Sequence, residues 1–388
     1  MPAVATILIA ARNASATIER AVRSAVAQGH HPIVLVDDFS SDDTARRARR
    51  VGGDRLTVIQ PPSHKSLGLT RQTALDAVTT PFGIWLDTDD EFLPGRVDRL
   101  VRALFNDNAD IASDGVELFD GDSSRFREQL PIPEFLKAHH PLARLFERNY
   151  LQGIGYVAFR TEFARTIGYD QDLHGAEDVD FALRAIAARA KFTLIDVPGY
   201  RLYAYPSSMS RKRQNQSDMY CQCLLKHSYE SVRRLFSEAG YDSRVSAWGL
   251  ASMALFRRDF KKALDFVAAA ESLAPLPHEI IEPAGPCPMP ESWRAAFYRG
   301  SAFSMQEAWP DAEFWLTQAE VIQPTAEGAN NLGVARARNG KPAEAQDCFR
   351  RSLERLPDYS DAQANQESET PSRITLHPLR REPTRRDY

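Results

Sequence analysis

Two architectures in series are predicted: an α/β domain on a mostly parallel sheet over residues 1–215, then an all-α repeat domain. Three observations lead there. Short apolar runs alternate with helical patterns up to about residue 210. Acidic clusters follow two of those runs. Past residue 211, strand signals give way to alanine-rich helices with a 33-residue spacing.

In order along the chain, residues 4–10 form a nearly continuous apolar run that ends at Arg12-Asn13. Ile18, Val22, Ala25 and Val26 then recur at helical spacing, with Ser15 or Asn13 suited to cap that helix. Residues 33–36 are a second apolar run, stopped by Asp37-Asp38-Phe39-Ser40-Ser41-Asp42-Asp43-Thr44. A helical stretch, a strand at 56–59 and a helix at 68–78 follow. Ile84-Trp85-Leu86 is a strand stopped by Asp87-Thr88-Asp89-Asp90. Buried strands alternating with helices imply a sheet covered on both faces, and such sheets bind ligands beyond the carboxyl ends of their strands. Both acidic clusters sit at such ends. Residues 177–190 read as a helix with Val179, Ala182, Leu183 and Ile186 on one face.

Composition bounds the function. A chain of 388 residues is expected to hold two or three domains. A net charge of -4 gives no support for nucleic acid, which demands a basic face. Four cysteines, Cys221, Cys223, Cys287 and Cys348, include only one close pair, so reduced thiols are expected rather than a zinc site or disulfide. No apolar run approaches the ~20 residues of a membrane span. Residues 4–10 lack a preceding basic segment, so a signal peptide is not expected and a cytoplasmic location is the default.

Three acidic groups carry chemistry. Asp87, Asp89 and Asp90 place three carboxylates in four residues at a strand end, where a divalent cation relieves their repulsion and can grip a diphosphate. An acidic turn open to water is the plainer reading of that motif alone. Asp38 ends an earlier strand and can accept from a base nitrogen, while Ser41 or Asp42 caps the next helix. Glu177-Asp178 opens a helix, where the dipole favours negative side chains by ~0.3–1 kcal/mol. An ionised carboxylate there suits a general base.

These segments, taken in order, resemble the family 2 glycosyltransferases of the GT-A fold. The resemblance runs over about 210 residues: Thr6-Ile7-Leu8-Ile9-Ala10-Ala11-Arg12-Asn13; the cluster from Val36 to Thr44; Gly68-Leu69-Thr70-Arg71; Trp85-Leu86-Asp87-Thr88-Asp89-Asp90 with Pro94; Gly168-Tyr169-Asp170; and Glu177-Asp178-Val179-Asp180 with Arg184. It implies a Rossmann-like sheet and an inverting transferase using a nucleotide sugar, most simply a UDP-sugar. It also implies roles. Ala10, Ala11 and Asn13 line the nucleotide pocket, Asp38 reads the base, and Arg71 lies near the ribose or phosphates. Asp87 and Asp89 form the D-x-D pair, with Asp89 and Asp90 on Mn²⁺ or Mg²⁺. Asp178 is the base, with Glu177 holding the acceptor or supporting the loop. Departures from the family's pattern are Tyr205 where His is common, Tyr203 where Arg is common, and Gln72 for a frequent Asn. The basic run Arg211-Lys212-Arg213 is a solvated stretch or a substitute phosphate grip.

In the C-terminal half, Gly300 and Gly333, Ala312 and Ala345, and Pro324 and Pro357 each stand 33 residues apart. The stretch Asn331-Leu332-Gly333 … Gly340 … Ala345 … Phe349 … Pro357 resembles the tetratricopeptide repeat. An earlier unit contains Leu250, Ala251, Phe260, Ala263, Ala270 and Pro275, and a Pro-rich insertion at 275–290 follows it. Trp248, Trp293, Trp309 and Trp315 read as repeat packing. The expected layout is a transferase domain at 1–215, a helical linker at 216–240, repeats at 241–362 and a disordered tail at 363–388. Such repeats imply a protein or peptide acceptor or partner, with a glycan acceptor, lipid-linked or polysaccharide at a membrane surface, as the other reading. The alternative is a non-catalytic adaptor with a degenerate transferase domain, which the retained Asp38, Asp89 and Asp178 disfavour. A nucleotidyltransferase would want a Gly-rich basic loop where Ala10-Ala11-Arg12-Asn13 stands.

Overall fold

The structure, a computed structural model, describes residues 4–151, 153–205, 213–275 and 290–378. The 206–212 stretch with Met209, Arg211 and Lys212, the side chain of Arg213, and the insertion with Cys287 lie outside the described residues. The chain divides into two compact units: one of Met1–Leu145 with Asn149–His227, the other of Phe146–Arg148 with Ser228–Tyr388.

The first unit opens with β1 (Ala5–Ala11), α1 (Ile18–Val26), β2 (Ile33–Asp37), α2 (Thr44–Gly52), β3 (Leu56–Ile59), α3 (Leu67–Asp76) and β4 (Phe82–Trp85). β5 (Glu91–Phe92), α4 (Arg96–Asn106), β6 (Ile111–Asp120), β7 (Phe126–Leu130), α5 (Glu134–Lys137), β8 (Ala158–Arg160), α6 (Thr161–Ile167), α7 (Glu177–Ala187), β9 (Phe192–Ala204) and α8 (Arg213–Leu225) complete it. The sheet runs β3-β2-β1-β4-β8-β6-β9-β5, with β7 added on β6. The β3-β2-β1-β4 half is parallel. A mostly parallel sheet is therefore corrected to a mixed one: β8 runs antiparallel to both β4 and β6, and β7 and β5 pair antiparallel as well. The middle of the chain, where periodicity is weakest, supplies those strands.

Local chemistry explains the frame. Ile7, Leu8, Ile9, Ile33, Leu35 and Val36 have no exposure, so β1 and β2 are buried on both faces. α1 packs Ile18, Ala21, Val22 and Ala25 inward at helical spacing. Its first turn has Thr17 at the N-cap without a side-chain cap; neither Asn13 nor Ser15 fills that position. α3 is capped by Ser66, whose Oγ accepts from the Leu69 N–H at 3.0 Å. Gly68 in its first turn has no room for a side chain, since a Cβ would lie 1.9 Å from the Asp170 carbonyl oxygen.

The second unit is helical: α9 (Tyr229–Glu238), α10 (Ser243–Phe256), α11 (Phe260–Ser272), α12 (Glu291–Met305), α13 (Trp309–Ile322), α14 (Ala326–Arg338), α15 (Pro342–Arg355) and α16 (Ser360–Glu367). The 33-residue spacing has a packing cause. A Cβ on Gly300 would meet Leu316 at 2.5 Å, and one on Gly333 would meet Phe349 at 2.5 Å. Each glycine lets the first helix of a pair close on the second, where Ala312 and Ala345 are also buried. Trp248 and Trp293 are buried, and the Trp248 Nε1–H donates to Glu291 at 3.0 Å. Residues 363–378 depart from the expected disordered tail. α16 extends to Glu367, and Thr375 and His377 beyond it are buried. Polar composition concealed this, because most hydrogen-bond partners of this segment's main chain are side-chain amides.

Candidate active site

The loops after β1 and β2 are laced together. Asp38 donates its N–H to the Ala11 carbonyl at 2.8 Å. Asn13 stands in the left-handed region at φ 48 and Phe39 at φ 54. Asn13 Oδ1 accepts from the Ser41 N–H at 2.9 Å, and Asp42 accepts from the Ser15 N–H at 3.0 Å and the Thr44 N–H at 3.0 Å. Burial raises the Asp42 pKa, but hydrogen bonds from Thr44 and Ser15 outweigh it, leaving about 2. Asn13 Oδ1 therefore ties the two loops together. Ala10 and Ala11 pair in register with Val36 and Asp37 at the ends of these strands. The buried Asp38 carboxylate meets His64 Nδ1 at 2.9 Å. His64 was not legible as a site residue: it lies 26 residues away in a loop without periodicity.

Asp87, Asp89 and Asp90 follow β4 and diverge in role. Asp87 is partly exposed and its N–H donates to the Tyr200 hydroxyl at 3.0 Å. Asp90, expected on the metal, is turned inward. It is 3% exposed, and its Oδ1 accepts the Tyr203 N–H at 2.8 Å. Burial, with Asp89 and Asp87 beside it, pushes its pKa well above the usual carboxylate range. Arg20, unanticipated from sequence, donates to the Asp89 carbonyl and to the Tyr205 hydroxyl at 3.2 Å, with its guanidinium 3.6 Å from the Tyr203 ring centroid. The two tyrosines that depart from the family's pattern thus accompany an arginine from α1.

Arg71, expected near the ribose or phosphates, is also turned inward. It is 5% exposed, and its charge is met from within the protein. It contacts Glu177 at 2.8 Å and Asp87 at 3.3 Å, donates to the Gly155 carbonyl at 2.8 Å, and lies over the Trp85 ring. Gln72 accepts from the Tyr169 N–H at 2.6 Å, a structural use of the residue that departs from Asn. The Tyr169 hydroxyl accepts from Trp85 Nε1–H at 2.7 Å.

α7 brings the last carboxylates. Ala176 precedes it at φ 55, a strained conformation for a residue other than glycine, at roughly 1–3 kcal/mol. Behind it, Asp180 pairs with Arg184 at 2.7 Å and Lys226 at 2.6 Å. Glu177 is 2% exposed, and burial raises its pKa to about 7 against the opposing pull of Arg71. Asp178 Oδ1 accepts from the Val179 N–H at 2.8 Å. Its other oxygen would lie 2.8 Å from a Cβ on Gly155, the residue whose carbonyl Arg71 holds. Arg71, Asp87, Glu177 and Asp178 therefore meet in one place. Asp38 stands on the far side of β1, two strand spacings or about 10 Å across the sheet.

Among the described residues, no three His, Cys, Asp or Glu side chains form a ready metal cage. Magnesium and its analogues often take one or two carboxylates and complete their shell with phosphate oxygens. Two hard oxygen donors, Asp87 and Asp89, suit that arrangement; the inward Asp90 does not.

Residues 6–166 match the model of the glycosyl transferase family 2. The succinoglycan biosynthesis protein ExoU of Rhizobium meliloti (strain 1021) is 29% identical over 255 residues, 62% of this chain and 72% of that protein. ExoO, of the same organism and also a succinoglycan biosynthesis protein, is 28% identical over 220 residues, 53% of this chain and 62% of its own length. Residues 1–349 of S. aureus TarS, solved with UDP-GlcNAc, align at 14% identity and a TM-score of 0.49 over 92% of each chain. The match begins in β1 and ends in α6, taking in both acidic strand ends, so the first unit is similar to the glycosyl transferase family 2 domain and the protein is a glycosyltransferase.

Proposed function

We propose that this transferase moves a sugar from a nucleotide-sugar donor, most simply a UDP-sugar, to an acceptor hydroxyl with inversion at the anomeric carbon. The observation that carries this reading is the junction at Arg71, where one guanidinium holds carboxylates from the β4 end and the α7 start. Asp38, with Ala10 and Ala11 beside it, takes the base. Asp87 and Asp89 face the diphosphate and would hold Mn²⁺ or Mg²⁺. That cation, when bound, neutralises charge on the leaving diphosphate. Asp178 removes the proton from the acceptor hydroxyl, and the oxygen attacks C1 from the face opposite the diphosphate. Glu177, shielded from water and gripped by Arg71, holds the start of α7 in place.

In the second unit, the helix pairs that close at Gly300 and Gly333 support a tetratricopeptide-type stack whose surface takes a protein or peptide, as acceptor or partner.

The experiment is Asp178→Asn, assayed for nucleotide release from a panel of nucleotide sugars with Mn²⁺ or Mg²⁺, and for donor binding by calorimetry. Transfer should fall by about 10²–10⁴-fold with donor affinity retained. Equal transfer by wild type and variant would remove Asp178 from its role.

A further inference from the structure

In the second unit, three asparagines are buried with almost no exposure: Asn330 and Asn331 on α14 at 0% and Asn365 on α16 at 1%. A buried amide is costly unless each of its groups finds a partner. Here the partners are the main chain of one extended segment, residues 372–378. Asn331 clamps both backbone groups of Thr375: its Oδ1 accepts the Thr375 N–H at 2.9 Å, and its Nδ2–H donates to the Thr375 carbonyl at 2.7 Å. Asn365 accepts from the N–H groups of Ser372 at 3.0 Å and Arg373 at 2.9 Å, and donates to the Arg373 carbonyl at 2.8 Å. Asn330 donates to that same carbonyl at 3.0 Å, and Asn365 donates to Asn330 Oδ1 at 2.9 Å.

The segment then runs on past α12 and α10. The Ser301 hydroxyl on α12 faces the Thr375 carbonyl, and the His377 Nε2 meets the Ser252 carbonyl on α10 at 3.1 Å. The His377 ring stacks on Phe256 at 3.4 Å. One strand of chain thus crosses α16, α14, α12 and α10 in turn. Most of its hydrogen bonds are backbone-directed and indifferent to sequence. Side chains are read besides: the Thr375 hydroxyl by Tyr359 and Asp361, Ile374 by the apolar cluster of Val334, Ala345 and Phe349, and the flat ring of His377 by Phe256. Thr375 and His377 are buried while Ile374 and Leu376 are half-buried, as the period of two in an extended strand requires.

We infer that this row of asparagines is a recognition groove for an extended peptide, occupied in cis by residues 372–378 acting as a built-in ligand. Its trans ligand is a peptide strand bearing a hydroxyl side chain and, two residues on, a neutral planar ring. The amides hold the main chain while Ile374 and His377 pack on apolar neighbours, the division of an added peptide strand in which main-chain hydrogen bonds give affinity and side-chain pockets give specificity. The inference deepens the reading of the second unit as a peptide-facing surface and is independent of the transferase chemistry.

The test places a specific protease site at the exposed Glu369–Thr370 turn of the full chain. The folded protein is cut and the fragment separated by gel filtration. A labelled peptide of residues 371–378 is then titrated by fluorescence anisotropy. The cut chain should bind it saturably, and the uncut chain at least ~10-fold more weakly, because the cis segment competes. Asn331→Ala in the cut chain, or N-methylation of the peptide's Thr375 amide, should each weaken binding ~10-fold or more. Cut chain that keeps its elution volume and circular dichroism yet binds no peptide would overturn the inference. So would unchanged binding by Asn331→Ala. A fragment that cannot be separated, or a chain that unfolds without it, would make the segment a fixed part of the fold and overturn it equally. Binding of an unrelated extended peptide, but not of 371–378, would sink the cis-ligand inference while sparing the peptide-facing surface.

Discussion

Replacing Glu177 with Gln tests the electrostatics of the Arg71 junction by its pH dependence. Burial raises the folded-state pKa of Glu177 from 4.5 to about 7. Below pH 4.5 the group is protonated in both states and contributes nothing to the slope. Between 4.5 and 7 the unfolded chain releases the proton while the folded chain keeps it, so stability falls as pH rises. Above 7 the loss is complete. At 1.36 kcal/mol per unit, the span amounts to about 3 kcal/mol. Glutamine has the same shape, can still accept from Arg71, and carries no proton to lose. Glu177→Gln should therefore gain on wild type by about 3 kcal/mol between pH 4.5 and 7.5, or roughly 6–12 °C for a domain of this size. Differential scanning calorimetry of the full chain at half-unit pH intervals reads this directly. Parallel melting curves for the two proteins across that window would refute the argument, since Glu177 would then have no perturbed ionisation to lose.

Other outcomes follow from the same geometry. Gly68→Ala drives a Cβ to 1.9 Å from the Asp170 carbonyl oxygen, a rigid partner, and should cost about 3 kcal/mol by thermal unfolding. Asp90→Ala strips the acceptor from the buried Tyr203 N–H and should cost ~1–3 kcal/mol, whereas Asp90→Asn keeps an oxygen there and should cost less. Burial, with Arg148 and Arg294 nearby, outweighs the Ser252 carbonyl and Glu147 and lowers the His377 pKa from 6.5 to about 3. The docked segment thus binds fewer protons than the released one: docking is at full strength above pH 6.5 and is lost as pH falls towards 3. At pH 5 binding of the 371–378 peptide to the cut chain should be about 30-fold weaker than at pH 7.5, and His377→Phe in the peptide should abolish the difference.

The sequence discloses what is local and hides what is assembled. Residues 33–36 and 56–59 read as strands because every residue of β2 and the first of β3 are buried, which makes an apolar run. α7 is equally visible at its start, because Glu177 and Asp178 stand beside its apolar face. The antiparallel strands are not visible: β8 is three residues long, and β9 is long but half-exposed over its first part. Site residues divide the same way. Asp87 and Asp178 are marked by their positions at element ends. Arg71 reads as a ligand-binding cation because its acidic partners come from Asp87 and Glu177, 16 and 106 positions further along. Arg20 gives no signal, since Asp89 and Tyr205 are 69 and 185 residues away. The tail misleads by composition, because asparagine reads as solvent-loving until a backbone segment is laid against it.

The junction at Arg71 also bears on why this site holds its acids in two kinds of surroundings. A buried arginine flanked by Asp87 and Glu177 lets two carboxylates approach one cleft with a positive charge between them to offset their repulsion. Asp87 reaches Arg71 at the longer distance, 3.3 Å against 2.8 Å for Glu177, and it is 39% exposed where Glu177 is 3%. Under the proposed function, a cation arriving with a diphosphate would compete for the weaker and wetter of the two pairs. Drawing Asp87 away would leave Arg71 facing Glu177 alone, strengthening the grip on the residue next to Asp178. Donor binding at the end of β4 and the placement of the base at the start of α7 would then be linked through one guanidinium. Arg71→Lys, which keeps the charge but not the fork, should uncouple them: metal-dependent donor affinity would survive in calorimetry while kcat falls, and an equal loss in both would show that the arginine serves the fold alone.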